Sequence, residues 1–412
     1  MVEPQTQAKC LSAAECSDHR KLESFIRREI SPNAWPVLSP LLTQRILADG
    51  LNLGLAREFL LSASEFQSLL RRLYDHGCRA EKELGIGNAF HTTVHNFEVL
   101  LRLLQLEWPA DRRMPNDIRS APLQMYTRYE DLEPPLLRSI DALLEAGVSS
   151  ARLAKCVLSA AGHDYGHTGG TDRLDADGKP AALSHEDFAE RHVAEFGLEL
   201  GFPLALILES LAGIRATTFF SRPGREQVKA ANLFERQLTL ADVAGCILPP
   251  DQWLTHVGIP VYREKLPGWK KRLQDRPKEL LHLQTVARAG GPEGKAASAA
   301  LAELQIEEAL IVQDVAEWFK SERGFLCFIA EHRLKPVPQA VSLWGPILED
   351  RIARIERVLA DDELTQPLVD VGFPLLEAFV ETFANADARE RLASGDIDPR
   401  LVAVVEKFLC EG

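Results

Sequence analysis

Three things are scarce in this chain of 412 residues: basic side chains, paired cysteines and long apolar runs. Lysine and arginine number 47 against 60 aspartates and glutamates, which gives a formal net charge of -13 at pH 7. This acidic balance argues against a nucleic-acid or anionic-membrane binder, because such partners are held by basic surfaces. It does not exclude a small phosphate substrate, because a bound metal ion supplies positive charge locally.

The cysteine pattern and the absence of long apolar runs bear on location. The seven cysteines are odd in number and include no Cys-x-x-Cys pair, which is typical of a reducing compartment. No stretch approaches the ~18 apolar residues of a membrane span. The first residues, MVEPQTQAK, lack the apolar core of a signal peptide. We therefore expect a cytoplasmic protein without a membrane segment.

Strand patterns are also scarce, and helix-forming residues dominate. The segment Ala151–Ala161 has apolar residues at three- and four-residue spacing, which predicts a helix with one buried face that Gly162 ends. The segment Ala287–Ala300, rich in glycine and alanine, is predicted to be a mobile loop. The expected fold class is all-α, a compact multi-helix unit.

Two tight pairs stand out among the 11 histidines. His91 and His95 are four residues apart, as are His163 and His167, so on a helix each pair shares one face. Asp164 directly follows His163. A single histidine on a helix is more often structural than a ligand, so the prediction depends on the conjunction.

A distant aspartate completes the pattern. Asp242 lies at the edge of an apolar stripe that includes Phe234 and Leu238. A carboxylate there is costly unless it is paired or binds a metal, although a helix cap or an ion pair is the alternative. Imidazole nitrogens and carboxylate oxygens are the ligands of catalytic metal sites. The sequence therefore predicts a metal centre.

These motifs resemble a known family. The order Asn88-x-aromatic-His91-x-x-x-His95, His163-Asp-x-x-His167-x-Gly and Ala-Asp242 is similar to the class I 3′,5′-cyclic-nucleotide phosphodiesterase catalytic domain. That domain belongs to the wider HD-domain metallohydrolases, and the resemblance covers about residues 75–345. It implies a phosphodiesterase-like catalytic domain over 76–412. A flexible N-terminus, 1–20, and an N-terminal helical subdomain, 21–75, would precede it.

The resemblance also implies cofactors and a reaction. Two divalent ions are expected, zinc and then magnesium or manganese, and Asp164 would bridge them. The ligands of the first ion would be His95, His163, Asp164 and Asp242. The implied reaction is hydrolysis of cAMP or cGMP to the 5′-monophosphate by a hydroxide that bridges the two ions.

Three further residues receive catalytic roles from the resemblance. His91 would be the general acid that protonates the leaving 3′-oxygen. His167 would face the water of the second metal. The stretch that begins at Ser184 resembles a family motif in ambiguous register, so either Glu190 or Glu186 would orient His91. The alternative for the two glutamates is an exposed helix charge.

The chain departs from the family at two places. Phe325 would clamp the purine ring, but Glu322 stands where the family has a glutamine. Glutamine both donates and accepts, whereas an ionised glutamate only accepts, so base selectivity suffers unless Glu322 is protonated or Arg323 compensates. Thr218 replaces an aspartate that orients metal-bound water in the family. An offset alignment, with Phe325 a core residue, is the alternative.

Three functions stay open from the sequence. The leading one is a cyclic-nucleotide phosphodiesterase in signal transduction, with a small phosphodiester as its partner. The second is an HD-type metallohydrolase that acts on a different phosphate ester, which Glu322 favours. The third is a nucleotide-binding sensor without turnover, against which His91 and the complete ligand set argue. The oligomeric state is open, with a homodimer as one alternative.

Overall fold

The computed structural model describes residues 10–34, 40–84, 88, 90–167, 185–218 and 229–410. Almost all regular structure in these ranges is helical, so the fold is all-α, as the sequence predicts. The strand content of the described residues is one antiparallel pair, Cys10–Leu11 (β1) with Leu51–Asn52 (β2). None of the described helices is both long enough and apolar enough to cross a membrane.

The chain folds as two units. The first takes the described residues up to 249 together with Ile329–Ile347. The second takes Pro250–Phe328 and residues 348–410. The first unit is therefore discontinuous in sequence. The boundaries predicted at residues 20 and 75 both fall inside it, and the three-part division stays a prediction.

The first unit contains twelve complete helices among the described residues. They are α1 (Ala13–Cys16), α2 (His19–Glu29), α3 (Pro40–Asp49), α4 (Leu55–Glu58), α5 (Ala63–Leu84), α6 (Thr93–Leu106), α7 (Asn116–Ser120), α8 (Tyr129–Glu145), α9 (Ser150–Gly162), α10 (His185–Glu199), α11 (Leu204–Ala216) and α12 (Leu233–Val243). Short 3₁₀ turns occur at Ala121–Leu123 and Ala244–Ile247, and a π-helical segment occupies Ile329–Leu334.

The second unit is also helical. Its helices are α13 (Pro250–Trp253), α14 (Ile259–Ala289), α15 (Gly291–Leu310), α16 (Val315–Phe328), α18 (Asp362–Val371), α19 (Phe373–Phe383), α20 (Ala388–Ala393) and α21 (Pro399–Leu409), with a π-helical turn at Leu254–Gly258. Helix α17 (Pro338–Leu359) begins in the first unit and ends in the second. An aromatic cluster that includes Trp253, Trp318 and Phe408 forms much of the core of the second unit.

Helix α6 lies at the centre of the first unit. Its sequence is apolar on nearly all sides, and such a helix has to be buried all round. It packs against α8, α9 and α12. The side chain of Thr92 accepts a hydrogen bond from the amide of His95 at 3.3 Å, which fixes where the helix begins. His95 is therefore held in the first turn of a buried helix.

The helix predicted over Ala151–Ala161 is confirmed as α9, and it ends at Gly162. A Cβ atom at Gly162 would lie 2.3 Å from Cγ2 of Val193 in α10. Only glycine therefore allows α10 to approach the end of α9 this closely. This close approach places the middle of α10 against the end of α9, next to His163.

Two segments differ from the sequence-based expectation. Residues 10–20, expected to be flexible, contain β1, α1 and the start of α2, and Cys16 is fully buried. The loop predicted at Ala287–Ala300 is wrong. Only Gly290 and Gly291 form a turn, both with positive φ, and the alanine-rich flanks continue as α14 and α15 because alanine favours helix.

The returning segment, Ile329–Ile347, is bound to the core of the first unit. Nε1 of Trp344 donates to Oε1 of Gln105 at 2.8 Å. Nε2 of Gln339 donates to the carbonyls of Gln105 and Trp108, at 3.2 and 3.0 Å. The π-helical part of the segment packs against α12. Residues far apart in sequence thus support the two helices that carry His95 and Asp242.

Candidate metal centre

Four predicted ligands meet in the first unit. His95 comes from the first turn of α6, His163 and Asp164 follow the end of α9, and Asp242 lies near the end of α12. One ligand atom from each residue can be chosen so that all four atoms lie within 4.8 Å of one another. Two imidazole nitrogens and two carboxylate oxygens form a donor set suited to zinc or a similar divalent ion.

The His163 ring is oriented by its own helix. Its Nδ1 donates to the carbonyl of Ala160 at 2.8 Å, because a carbonyl oxygen can only accept. Nε2 then faces the cluster, 3.1 Å from Oδ1 of Asp242 and 3.3 Å from Oδ2 of Asp164. A backbone carbonyl that fixes the far nitrogen is the usual support of a metal-binding histidine.

The surroundings of His95 fit a metal ligand best among the four residues. Its side chain is buried, and neither ring nitrogen has a hydrogen-bond partner among the described residues. Nε2 lies 3.8 Å from Oδ1 of Asp242, beyond hydrogen-bonding distance. A buried, unsatisfied imidazole is costly, and a metal ion at Nε2 would satisfy it. The residues present therefore fit a divalent ion.

The electrostatics of the four side chains favour the same conclusion. Burial lowers the pKa of His95 to about 4, so its ring is neutral at pH 7, as a ligand must be. Burial also opposes the charge on His163, but Asp164 and Asp242 outweigh it and raise the pKa of His163. Burial of Asp242 is likewise outweighed by His163, which lowers the pKa of Asp242 to about 2. The two carboxylates thus favour positive charge at the centre of the cluster.

His91 and His167 lie beside this cluster. Their rings stack with centroids 4.0 Å apart, and the His91 centroid is 6.0 Å from that of His95. Nδ2 of Asn88 donates to the backbone carbonyls of both His91 and His167, each at 2.8 Å. Asn88 thereby links the His91 motif to the His163 motif, because His167 lies 79 residues after Asn88 in the sequence.

Neither histidine pair shares a helix face, so that expectation is wrong. Helix α6 begins at Thr93, after His91, because Thr92 caps it. The residues from His163 to Gly166 form a turn, with Gly166 at positive φ. His91 and His95 are therefore brought close by the start of a capped helix, and His163 and His167 are brought close by a turn.

The structure adds His185, which the sequence did not single out. It begins α10, and its ring lies edge-on to that of His167 with centroids 4.2 Å apart. Burial lowers the pKa of His167 well below its usual value, and repulsion from His91 adds to this. His91, His167 and His185 thus form a column of imidazoles, here called the histidine column.

The two glutamates proposed to orient His91 lie on α10. Glu190 is buried and pairs with Arg215 of α11, whose Nη2 lies 2.6 Å from Oε1. Glu186 is half-buried. Thr218, at the place of the family aspartate, is buried and donates its amide to the carbonyl of Arg215 at 3.2 Å. The orienting role of either glutamate stays a prediction.

The predicted purine-binding residues lie in the second unit, on α16. Glu322 is half-buried, and loss of water around it raises its pKa to about 7, against the opposing charge of Lys265. Phe325 lies one turn further along and is 37% exposed. Arg323, the expected compensating charge, is paired with Glu356 at 2.6 Å. A large apolar ring with this exposure is compatible with a ligand contact and with a surface position.

Arg333 is a further charged residue near the cluster. It lies in the π-helical segment that packs against α12, and its Nε and Nη2 atoms are shielded from solvent. Burial lowers the pKa of Arg333, whereas the charge of Asp242 opposes that shift. No sequence motif signalled Arg333, because only the fold brings it near α12.

Comparisons of the chain with protein-family models, with curated proteins and with solved structures found no match. The resemblance to the cyclic-nucleotide phosphodiesterases therefore depends on the motif residues themselves.

Proposed function

We propose that the chain is a metal-dependent phosphodiesterase that hydrolyses a 3′,5′-cyclic nucleotide to its 5′-monophosphate. One observation carries the proposal: two buried histidines, His95 and His163, converge with two partly buried aspartates, Asp164 and Asp242, and His91 lies beside them. Two carboxylates this close together and partly withdrawn from water are costly unless a cation lies between them.

In the proposal, His95, His163, Asp164 and Asp242 would hold a divalent ion, zinc, and Asp164 would also help to hold a second ion, magnesium or manganese. Such ions polarise water and neutralise the charge of the phosphate oxygens. Neutralisation of the phosphate by the metal ions matters because the formal net charge of the chain is -13, and an uncompensated phosphate would be repelled.

His91 delivers a proton in this proposal. The oxygen of a water adds to phosphorus, the bond from phosphorus to the 3′-oxygen breaks, and the protonated imidazole of His91 gives its proton to that oxygen. The proton that the water loses restores the proton of His91, so the protons balance over the cycle. Asn88 holds the His91 backbone, and His167 stacks on the ring, so the imidazole is kept in place for this transfer. The substrate is a small molecule, and we place the protein in the cytoplasm, in cyclic-nucleotide signalling.

A second function remains open at Glu322. A glutamate with a pKa near 7 is partly ionised at neutral pH and reads a purine edge less well than a glutamine does. An HD-type hydrolase that acts on another phosphate ester is therefore the alternative. A sensor without turnover has no specific observation in its favour.

The test is a hydrolysis assay on the full chain, reconstituted with zinc and with magnesium or manganese. It offers cAMP, cGMP, a pyrimidine cyclic nucleotide and bis(p-nitrophenyl) phosphate in parallel, with EDTA and His91→Ala as controls. EDTA-sensitive cleavage of a cyclic nucleotide that His91→Ala abolishes supports the proposal. Cleavage of the aryl ester alone supports the alternative, and no turnover with any substrate refutes both.

A further inference from the structure

A second buried charge cluster joins α10 to α11. Its members are Arg215, Glu190 and Asp187, which are 7%, 3% and 1% exposed. Nη2 of Arg215 lies 2.6 Å from Oε1 and 2.7 Å from Oε2 of Glu190, and 3.3 Å from Oδ1 of Asp187. One guanidinium therefore serves two carboxylates of the same helix.

The burial of this cluster makes the loss of Arg215 costly. Both carboxylates are out of reach of bulk water, and burial of a charge is costly unless it is paired. The pKa of Arg215 is raised, because the pull of Glu190 and Asp187 outweighs the effect of burial. Nε of Arg215 has no hydrogen-bond partner among the described residues, so its contacts with the carboxylates run through Nη2.

The two carboxylates lie near the start of α10, on the side of the helix opposite to His185. The helix begins at His185, and Asp187 and Glu190 both follow within its first two turns. At about 100° per residue, His185 is turned about 200° from Asp187 and about 140° from Glu190. His185 therefore faces away from Arg215, toward His167. A clamp on one side of the helix fixes the direction of the imidazole on the other side.

The rest of α10 is held by different contacts. Gly162 of α9 lies against Val193, and Gly197 of α10 lies against Ile207 of α11. These close apolar contacts involve the later turns of the helix and need no charge. Loss of Arg215 should therefore loosen the first turn of α10 and leave the packing of its remainder in place.

We propose that Arg215 is a positioning residue: its grip on Glu190 and Asp187 fixes the rotation of α10, so that His185 braces His167 and, through it, the His91 ring. The proposal rests on the proposed function for its effect on turnover. It does not need that function for its effect on the histidine column. It also gives Glu190 a place in catalysis that does not require direct contact with His91.

The test uses Arg215→Met, Arg215→Lys and a matched control, Lys155→Met. Lys155 forms an ion pair with Glu209 of α11 at 2.8 Å, so its loss disturbs the same helix without touching the cluster. Four quantities are measured on the full chain: hydrogen exchange of peptides from residues 185–192, metal content, and kcat and KM in the assay described above.

Arg215→Met should speed hydrogen exchange at the start of α10 and lower kcat by about 10²-fold, the effect of a misplacement near 1 Å, with KM and metal content unchanged. Arg215→Lys should recover part of both effects, and Lys155→Met should show neither. Unchanged exchange at residues 185–192 in Arg215→Met overturns the proposal, as does a wild-type kcat.

Failure of the proposed function has a different signature. If the wild-type chain turns over no substrate, the exchange measurement still decides whether Arg215 holds the start of α10, and NMR of the imidazole protons replaces kcat. Arg215→Met should then shift the ring resonances of His91 and His167, and unshifted resonances refute the proposal. If Arg215→Met does not fold, Arg215→Lys carries the same two measurements with the same criteria.

Discussion

A divalent ion at the candidate centre should lock three helices of the first unit together, because its ligands come from α6, the end of α9 and α12. A ligand that binds only the folded form stabilises it by about 2.7 kcal/mol at a concentration of about 100 times Kd. Local unfolding of these helices that breaks the metal site should then become about 100-fold less frequent. Asp242→Asn keeps the side-chain volume but removes a carboxylate, so it should abolish this gain.

The assay is hydrogen exchange of α6 and α12 peptides, in EDTA and across a zinc titration. Exchange in the wild-type chain should slow in proportion to zinc above Kd, and the Asp242→Asn chain should exchange at one rate throughout. Lys155→Met, which spares every ligand, should behave like the wild type. The reasoning fails if zinc leaves wild-type exchange unchanged, or if Asp242→Asn keeps the full slowing.

Three further predictions follow from named contacts. His91→Ala should lower turnover by about 10²–10⁴-fold while metal content stays at the wild-type level, which kinetics and metal analysis check together. Burial raises the pKa of Glu322 to about 7, so its carboxyl should lose its proton as pH rises through 7, which NMR of the side-chain carboxyl follows. Glu322→Gln should remove that titration, and a wild-type titration at the ordinary glutamate pKa would contradict the effect of burial. Fully buried Glu235 accepts from Ser31 and Asn33, so Glu235→Ala should cost about 3 kcal/mol in urea unfolding.

The all-α fold was predictable because its signals are local. Helix-forming residues and three- and four-residue apolar spacing act within one segment, as in α9. The loop predicted over Ala287–Ala300 was wrong for a local reason too: two glycines suffice for the turn, and alanine continues the helix on both sides. The return of Ile329–Ile347 to the first unit was not predictable, because its hydrogen bonds with Gln105 span more than two hundred residues.

The residues of the candidate site also fall into those that the sequence signalled and those that only the fold brings together. The ligand types could be read from the sequence, because histidines at short spacing and a carboxylate on an apolar stripe are unusual outside such sites. The structure brings His95, His163, Asp164 and Asp242 together, and their metal-binding role stays a prediction. His185 was not predictable, because its contact with His167 depends on how α10 packs.

The bond between Trp344 and Gln105 has a consequence for synthesis of the chain. Ribosomes release the N-terminal end first, and domains generally fold as they emerge. The first unit cannot close in that order, because α6 waits for a partner made 239 residues later. All of Pro250–Phe328 emerges in the interval. A nascent chain stopped at residue 249 would expose the face of α12 that the returning segment covers, so the helices that carry the candidate ligands gain this support only after residue 347 has been made.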